Sequence, residues 1–249
     1  LFFEKALLAK RQTHSEEYAK WIEAAYDSDP HNRKVCLEFV SEWVARSDFD
    51  SAFVLLNHYA QTHDFDLEVS QTLTFVAVHV GQFEIALAQL EQQKAVAEAN
   101  EEKTVDIELK MAHVHFLQGK LQSAEELYQK VLAVDPTQDQ ANFYLGQIYA
   151  HQDLNDLAQP AFKQLSAASS YFADAQIWLA SNEVKKGKSQ LALQRLAKAQ
   201  AKGPDQLPLY VAYIDLLIRE KQYKKALSIS KMGVEFFPQT EELDIQAAV

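Results

Sequence analysis

His79, His113 and His151 are the side chains whose chemistry reaches furthest beyond ordinary packing, because imidazoles gathered on one surface bind a transition metal or exchange protons near neutral pH. Their spacing argues against both uses. None belongs to an i, i+4 pair of the HExxH kind, and His113 and His115 are two apart, so on a helix they face different ways. They read as ordinary polar surface positions. Cys36 is the only cysteine, so neither an internal disulfide nor a CxxC redox or zinc motif can form. The sequence holds no GxSxG, GxxxxGK[ST] or GxGxxG motif, and its 6 glycines leave little backbone to cradle phosphates. Carboxylates are plentiful, but no pocket-forming context singles any out as an acid or base. No catalytic residue, metal ligand or cofactor is assigned, and the chain reads as a non-enzyme.

The elements carrying these residues follow from composition and period. With 48% hydrophobic and 24% charged residues among 249, the composition suits a folded protein with a sizeable core. Only 6 Gly and 6 Pro interrupt it, which predicts long helices joined by short loops. A formal charge of −11 repels the phosphates that nucleic-acid binding must neutralise, which disfavours that partner class. No apolar run reaches the roughly 18 to 20 residues that cross a bilayer.

Ala52, Ala86, Ala124, Ala158, Ala192 and Ala226 are separated by 34, 38, 34, 34 and 34 residues. Phe49, Phe83, Leu121 and Tyr223 lie three before such an Ala, and Gly81, Gly119 and Gly187 five before. Pro30, Pro136, Pro204 and Pro238 share one position of the same register once a four-residue insertion within 91–108 is allowed. Three residue types therefore agree on one period, the signature of a repeat architecture. The insertion approximates one helical turn, which predicts a lengthened helix there. Pro208 suits a first helical turn, whereas Pro160 is expected to kink its helix.

A 34-residue period with a small residue in mid-repeat and a closing Pro resembles the tetratricopeptide repeat, with Gly146, Tyr149, Ala158 and Phe162 as the best-matching set. The resemblance implies an all-α fold, a right-handed superhelix of antiparallel helix pairs. The whole chain, 1–249, then reads as a single array. It comprises a partial unit at 1–32, units beginning at Arg33, Leu67, Val105, Asp139, Ala173 and Leu207, and a truncated helix at 241–249. Tyr18 departs from the pattern by taking the Ala position of the first unit. Leu1 to Leu8 already reads as helix interior, which predicts that the natural protein extends further upstream.

The resemblance also implies that the first helix of each pair lines a concave wall that binds a protein or peptide partner. Its inward positions place Leu37, Gln71, Phe75, His79, Leu109, His113, Phe116, Phe143, Gln147, His151, Ile177 and Val184 on that wall, with Ser41, Val44, Ser181 and Asp215 beside them. Phe75, Phe116 and Phe143 read either as pockets for a partner's apolar side chains or as packing between repeats, and helical spacing does not separate the two. The Lys and Asn set with which some family members clamp a terminal carboxylate is missing, since the matching positions carry Leu37, Ser41, Gln71, Phe75, Leu109 and His113.

The segment 143–149, FYLGQIY, followed by 171–176, YFADAQ, is similar to the later repeats of proteobacterial outer-membrane lipoproteins. That likeness implies a bacterial adaptor, periplasmic and anchored through a segment upstream of Leu1 rather than cytoplasmic, in one case delivering substrates to a protease. Two other roles are consistent with the same residues: a self-assembling, homo-oligomeric component of an envelope or secretion complex, and the regulatory repeats of a larger enzyme.

Overall fold

A computed structural model describes residues 1–238, 240 and 243. The chain falls into two compact units, Leu1–Ala124 and Glu125–Val249. The first contains α1 (Phe2–Arg11), α2 (Ser15–Ser28), α3 (Arg33–Ala45), α4 (Phe49–Thr62), α5 (Leu67–His79), α6 (Phe83–Ala99) and α7 (Val105–Leu117). The boundary falls inside α8 (Leu121–Val134), and the second unit continues with α9 (Asp139–His151), α10 (Asn155–Lys163), α11 (Phe172–Lys185), α12 (Ser189–Lys202), α13 (Leu207–Arg219) and α14 (Tyr223–Phe236). The described residues form no strand. The expected helix over 241–249 lies outside them, save for Leu243.

Helix starts follow the register. α3, α5, α7, α9 and α13 begin at the expected first residues of their units, and α11 begins one residue before Ala173. Side-chain caps explain several of these starts. Asn32, Asp66 and Gln138 each accept a hydrogen bond from a backbone N–H in the following turn, at Val35, Val69 and Ala141. The ends are equally local, since Pro30, Pro136, Pro204 and Pro238 each stand two residues past the last residue of α2, α8, α12 and α14. A proline there cannot continue the helix.

Within each unit, successive helices pack as antiparallel neighbours, α1 with α2, α3 with α4 and α5 with α6 in the first, α9 with α10, α11 with α12 and α13 with α14 in the second. All six register alanines are fully buried. At such a crossing a larger side chain overpacks, at a typical cost of about 1–3 kcal/mol. Tyr18 occupies the corresponding place between α1 and α2 and is also buried, in a cluster whose small members are Ala6, Ala9 and Ala25. Its hydroxyl escapes the apolar seam by donating to Glu38 Oε1 at 2.8 Å. Gly146 serves the same economy of space between α9 and α10: a methyl group added there would lie 2.8 Å from the ring of Phe162.

The turn between the two helices of each pair recurs with the period. Thr13, Ser47, Gly81, Gly119, Asp153, Gly187 and Lys221 all have φ between 58° and 74°, the left-handed region that favours glycine. Glycine therefore marks three of these seven turns, and the other four hold the same conformation with a side chain attached. The insertion is mostly helical, α6 having 17 residues where α4 has 14. Around Pro160 the helix is short: α10 has 9 residues and stops at Lys163, followed by an irregular stretch over 164–171. Ser166 N–H donates to Asp139 Oδ1 at 2.8 Å and ties this stretch to the start of α9.

Candidate protein-binding grooves

In the first unit, the first helices α1, α3 and α5 line an open groove. Phe3, Leu7, Leu37, Val44 and Phe75 give it an apolar floor, and Arg33, Lys34, Glu38, Ser41 and Glu68 a polar rim. These side chains face one way because 37, 41 and 44, like 68, 72 and 75, are spaced by about one helical turn. Arg33 fixes one end of the rim by donating to both carboxylate oxygens of Asp66 and to Glu68. The hydrogen bond to Arg33 holds the Asp66 carboxyl below the usual carboxylate range, and the same bonds push the guanidinium up. Asp66 thereby joins the capping of α5 to the rim of the groove. At the other end Glu38 accepts from Tyr18 and from Lys10. Burial, then the bond to Glu38, drives the Tyr18 phenol well above its ordinary value.

Phe75 is 48% exposed. It belongs to a small aromatic group with Phe49 and His79: His79 stacks on Phe49 with centroids 4.4 Å apart and lies 4.2 Å from Phe75. His79 Nδ1 is 2.8 Å from the Phe75 carbonyl oxygen and donates to it, which orients the imidazole. Gln71 is exposed one turn before Phe75. Farther along, Leu109 is buried, and His113 and Phe116 are half-buried. Burial lowers the His113 pKa.

In the second unit the facing surfaces of α11 and α13 form another groove. Ile177, Ser181 and Val184 on α11 oppose Ala212, Asp215 and Arg219 on α13, with Leu196 beneath. Ile177 and Val184 are half-buried and pack on the core of this unit. On α9, Gln147 is half-buried and His151 exposed. Phe143 is only 5% exposed: Tyr171 stacks on it with centroids 4.6 Å apart, and Phe162 meets it edge-on at 6.0 Å. Of the two readings open for Phe143, packing between helices is the one its surroundings fit, so little of its ring is available to a partner.

The three histidines are not brought into one cluster. His79 and His113 lie on different helices of the first unit and His151 lies in the second, and no group of three or more His, Cys, Asp or Glu among the described residues could hold a metal. Cys36 is fully buried, and burial pushes its thiol up to about 12. The sequence did not point to Phe3 and Leu7 as groove residues, nor to Phe49 as the ring neighbour of Phe75 and His79. Phe49 carried a signal, its place three before Ala52. Phe3 and Leu7 belong to a pair whose Ala position is disguised by Tyr18. No helix among the described residues is long and apolar enough to cross a membrane.

Antiparallel helix pairs of fixed period, with a small residue at each crossing and a left-handed turn inside each pair, define the tetratricopeptide-type solenoid. No family model and no curated protein matches the sequence. Solved structures share the fold. The C-terminal part of a TPR repeat-containing protein from Cytophaga hutchinsonii superposes with a TM-score of 0.64 at 14% identity, covering 97% of each chain. A tetratricopeptide repeat protein from Parabacteroides merdae gives 0.62 at 14% identity, covering 97% of this chain and 94% of its own. MamA gives 0.53 at 18% identity, covering 64% of this chain and 91% of its own.

Proposed function

We propose that this protein is a scaffold or adaptor that holds a peptide or helix of another protein on the exposed faces of its first helices. The observation that carries this reading is the α1–α3–α5 groove, where the half-exposed ring of Phe75 sits in an apolar floor between charged rims. Aromatic anchors surrounded by polar rims are the usual makeup of a protein-binding surface. The α11–α13 groove repeats the arrangement with Ile177, Val184 and Asp215. The narrower role, an envelope adaptor that delivers substrates to a protease, rests on the likeness of the Phe143–Tyr149 segment to lipoprotein repeats.

A Phe75→Asp, Ser41→Glu variant tests the broader reading, because both side chains are exposed and the changes leave the core intact. Partners recovered by affinity capture with the intact chain are expected to be lost from the variant while its circular dichroism is unchanged. Equal recovery by a folded variant overturns the reading.

A further inference from the structure

The acidic balance of the chain conceals a reversal of sign. Residues 163–231 hold 12 Lys and Arg against 5 Asp and Glu, a net +7, whereas residues 1–162 hold 12 against 26, a net −14. Within the basic stretch, α12 carries Arg195, Lys198 and Lys202 and no acidic residue. A groove between the end of α10 and α12 brings these together with Lys163, over a floor made by Leu165, Phe172 and Ala199. It shares no lining residue with the α11–α13 groove.

The cations differ in availability. Arg195 is committed to Glu183 and Gln176. Lys163, Lys198 and Lys202 are exposed, and none forms an ion pair or hydrogen bond among the described residues. No carboxylate lines the groove, and Leu191, 45% exposed, gives its edge an apolar step. Three uncompensated ammonium groups beside exposed leucine have the character of an anion-selective docking surface.

We infer that the α10–α12 groove is a second docking surface, which takes a short acidic segment of a partner protein carrying apolar residues among its carboxylates. Charge complementarity selects the carboxylates, and Leu191 with the floor takes the apolar residues. A nucleic acid fits less well. The groove presents no exposed aromatic ring on which bases stack. The net −14 of residues 1–162 also repels a long polyanion more than a short peptide whose charge stays within about a Debye length, roughly 8 Å at physiological salt. This surface is independent of the first-helix grooves.

The test is fluorescence anisotropy with a short fluorescein-labelled peptide of alternating glutamate and leucine, titrated with the whole chain at low and physiological salt. Binding that weakens with salt is expected. The Lys163→Glu, Lys198→Glu, Lys202→Glu variant is expected to weaken it roughly tenfold or more, since each lost pair is replaced by a repulsion. Lys186→Glu, Lys224→Glu, Lys231→Glu makes the same change in net charge on exposed lysines outside the groove, and is expected to leave affinity within about twofold. The Phe75→Asp, Ser41→Glu variant is expected to bind the peptide as the intact chain does, which separates this surface from the first-helix groove. The assignment is overturned by absence of binding, by an equal loss in the control variant, or by tighter binding of a single-stranded oligonucleotide than of the peptide.

Discussion

Arg195 of α12 places Nε at 3.0 Å and a terminal guanidinium nitrogen at 2.6 Å from the same oxygen, Oε1, of Glu183 on α11, while Glu183 Oε2 is buried without a partner. The pair crosses the seam between the two helices, and the Glu183 side chain is only 7% exposed. Removing one member strands the other charge in the seam, at a typical cost of about 3–5 kcal/mol. Replacing both by apolar residues of similar size avoids that penalty. Arg195→Met is therefore expected to destabilise the second unit by about 3 kcal/mol, and Glu183→Leu with Arg195→Met to recover most of it. Urea unfolding followed by Trp178, the tryptophan of this unit, measures both. Equal destabilisation by the single and double variants refutes the account.

The left-handed turns predict two opposite effects of comparable size. Lys221 holds φ at 58° where Gly187, at the equivalent place, holds 72°. Lys221→Gly relieves the crowding of Cβ against the backbone and is expected to stabilise by about 0.5–1 kcal/mol. Gly187→Ala introduces the same crowding, with open space around the added methyl, and is expected to cost about 1 kcal/mol through backbone strain alone. Thermal unfolding of the two variants decides, and shifts of the same sign exclude this explanation.

The register places both Phe75 on α5 and Phe143 on α9 on the inward wall, at different turns of their helices, yet one is 48% exposed and the other 5%. Phe75→Asp is expected to change stability by less than about 0.5 kcal/mol, as exposed substitutions do. Phe143→Asp buries a carboxylate against Tyr171 and Phe162 and is expected to cost about 3 kcal/mol or more. Chemical denaturation of the two single variants checks this ordering, and a stable Phe143→Asp protein contradicts the packing described for α9.

That contrast shows where the residues are informative on their own. The helix pairs can be read from the register because Ala at a crossing and Pro after a helix act through local sterics that depend on nothing distant. The exposure of an inward side chain depends on what lies over it. Tyr171 covers Phe143 because the stretch after the short α10 returns across α9, and nothing in the spacing of Phe143 announces that cover. Phe75 has Phe49 and His79 as ring neighbours and still remains 48% exposed. Glu183 and Arg195 are ordinary helix residues in sequence, 12 apart, and become partners only when α11 and α12 pack. The basic groove was hidden for another reason: one net charge for the whole chain averages its +7 stretch against the acidic remainder.

Buried titratable groups predict losses of stability in separate pH windows. Burial pushes Cys36 from an ordinary value near 9 to about 12, so an unfolded chain ionises this thiol while the folded chain keeps it neutral. The stability tied to Cys36 is complete below pH 9 and is lost as pH rises from about 9 toward 12. Tyr18, Tyr128 and Tyr144 are also raised by burial, but their losses start near pH 10, the ordinary tyrosine value. His113 has the opposite sign: burial lowers its pKa from 6.5, so its contribution is present above pH 6.5 and is lost as pH falls through its folded value. Asp66, lowered by Arg33, adds a loss only below the ordinary carboxylate value of 3.8. Unfolding free energy measured against pH is therefore expected to decline below pH 6.5 and again above 9. The Cys36→Ala variant should shift the whole curve down and flatten it between pH 9 and 10, and His113→Gln should flatten the limb just below 6.5. A variant curve parallel to that of the intact chain across its own window rejects the corresponding assignment.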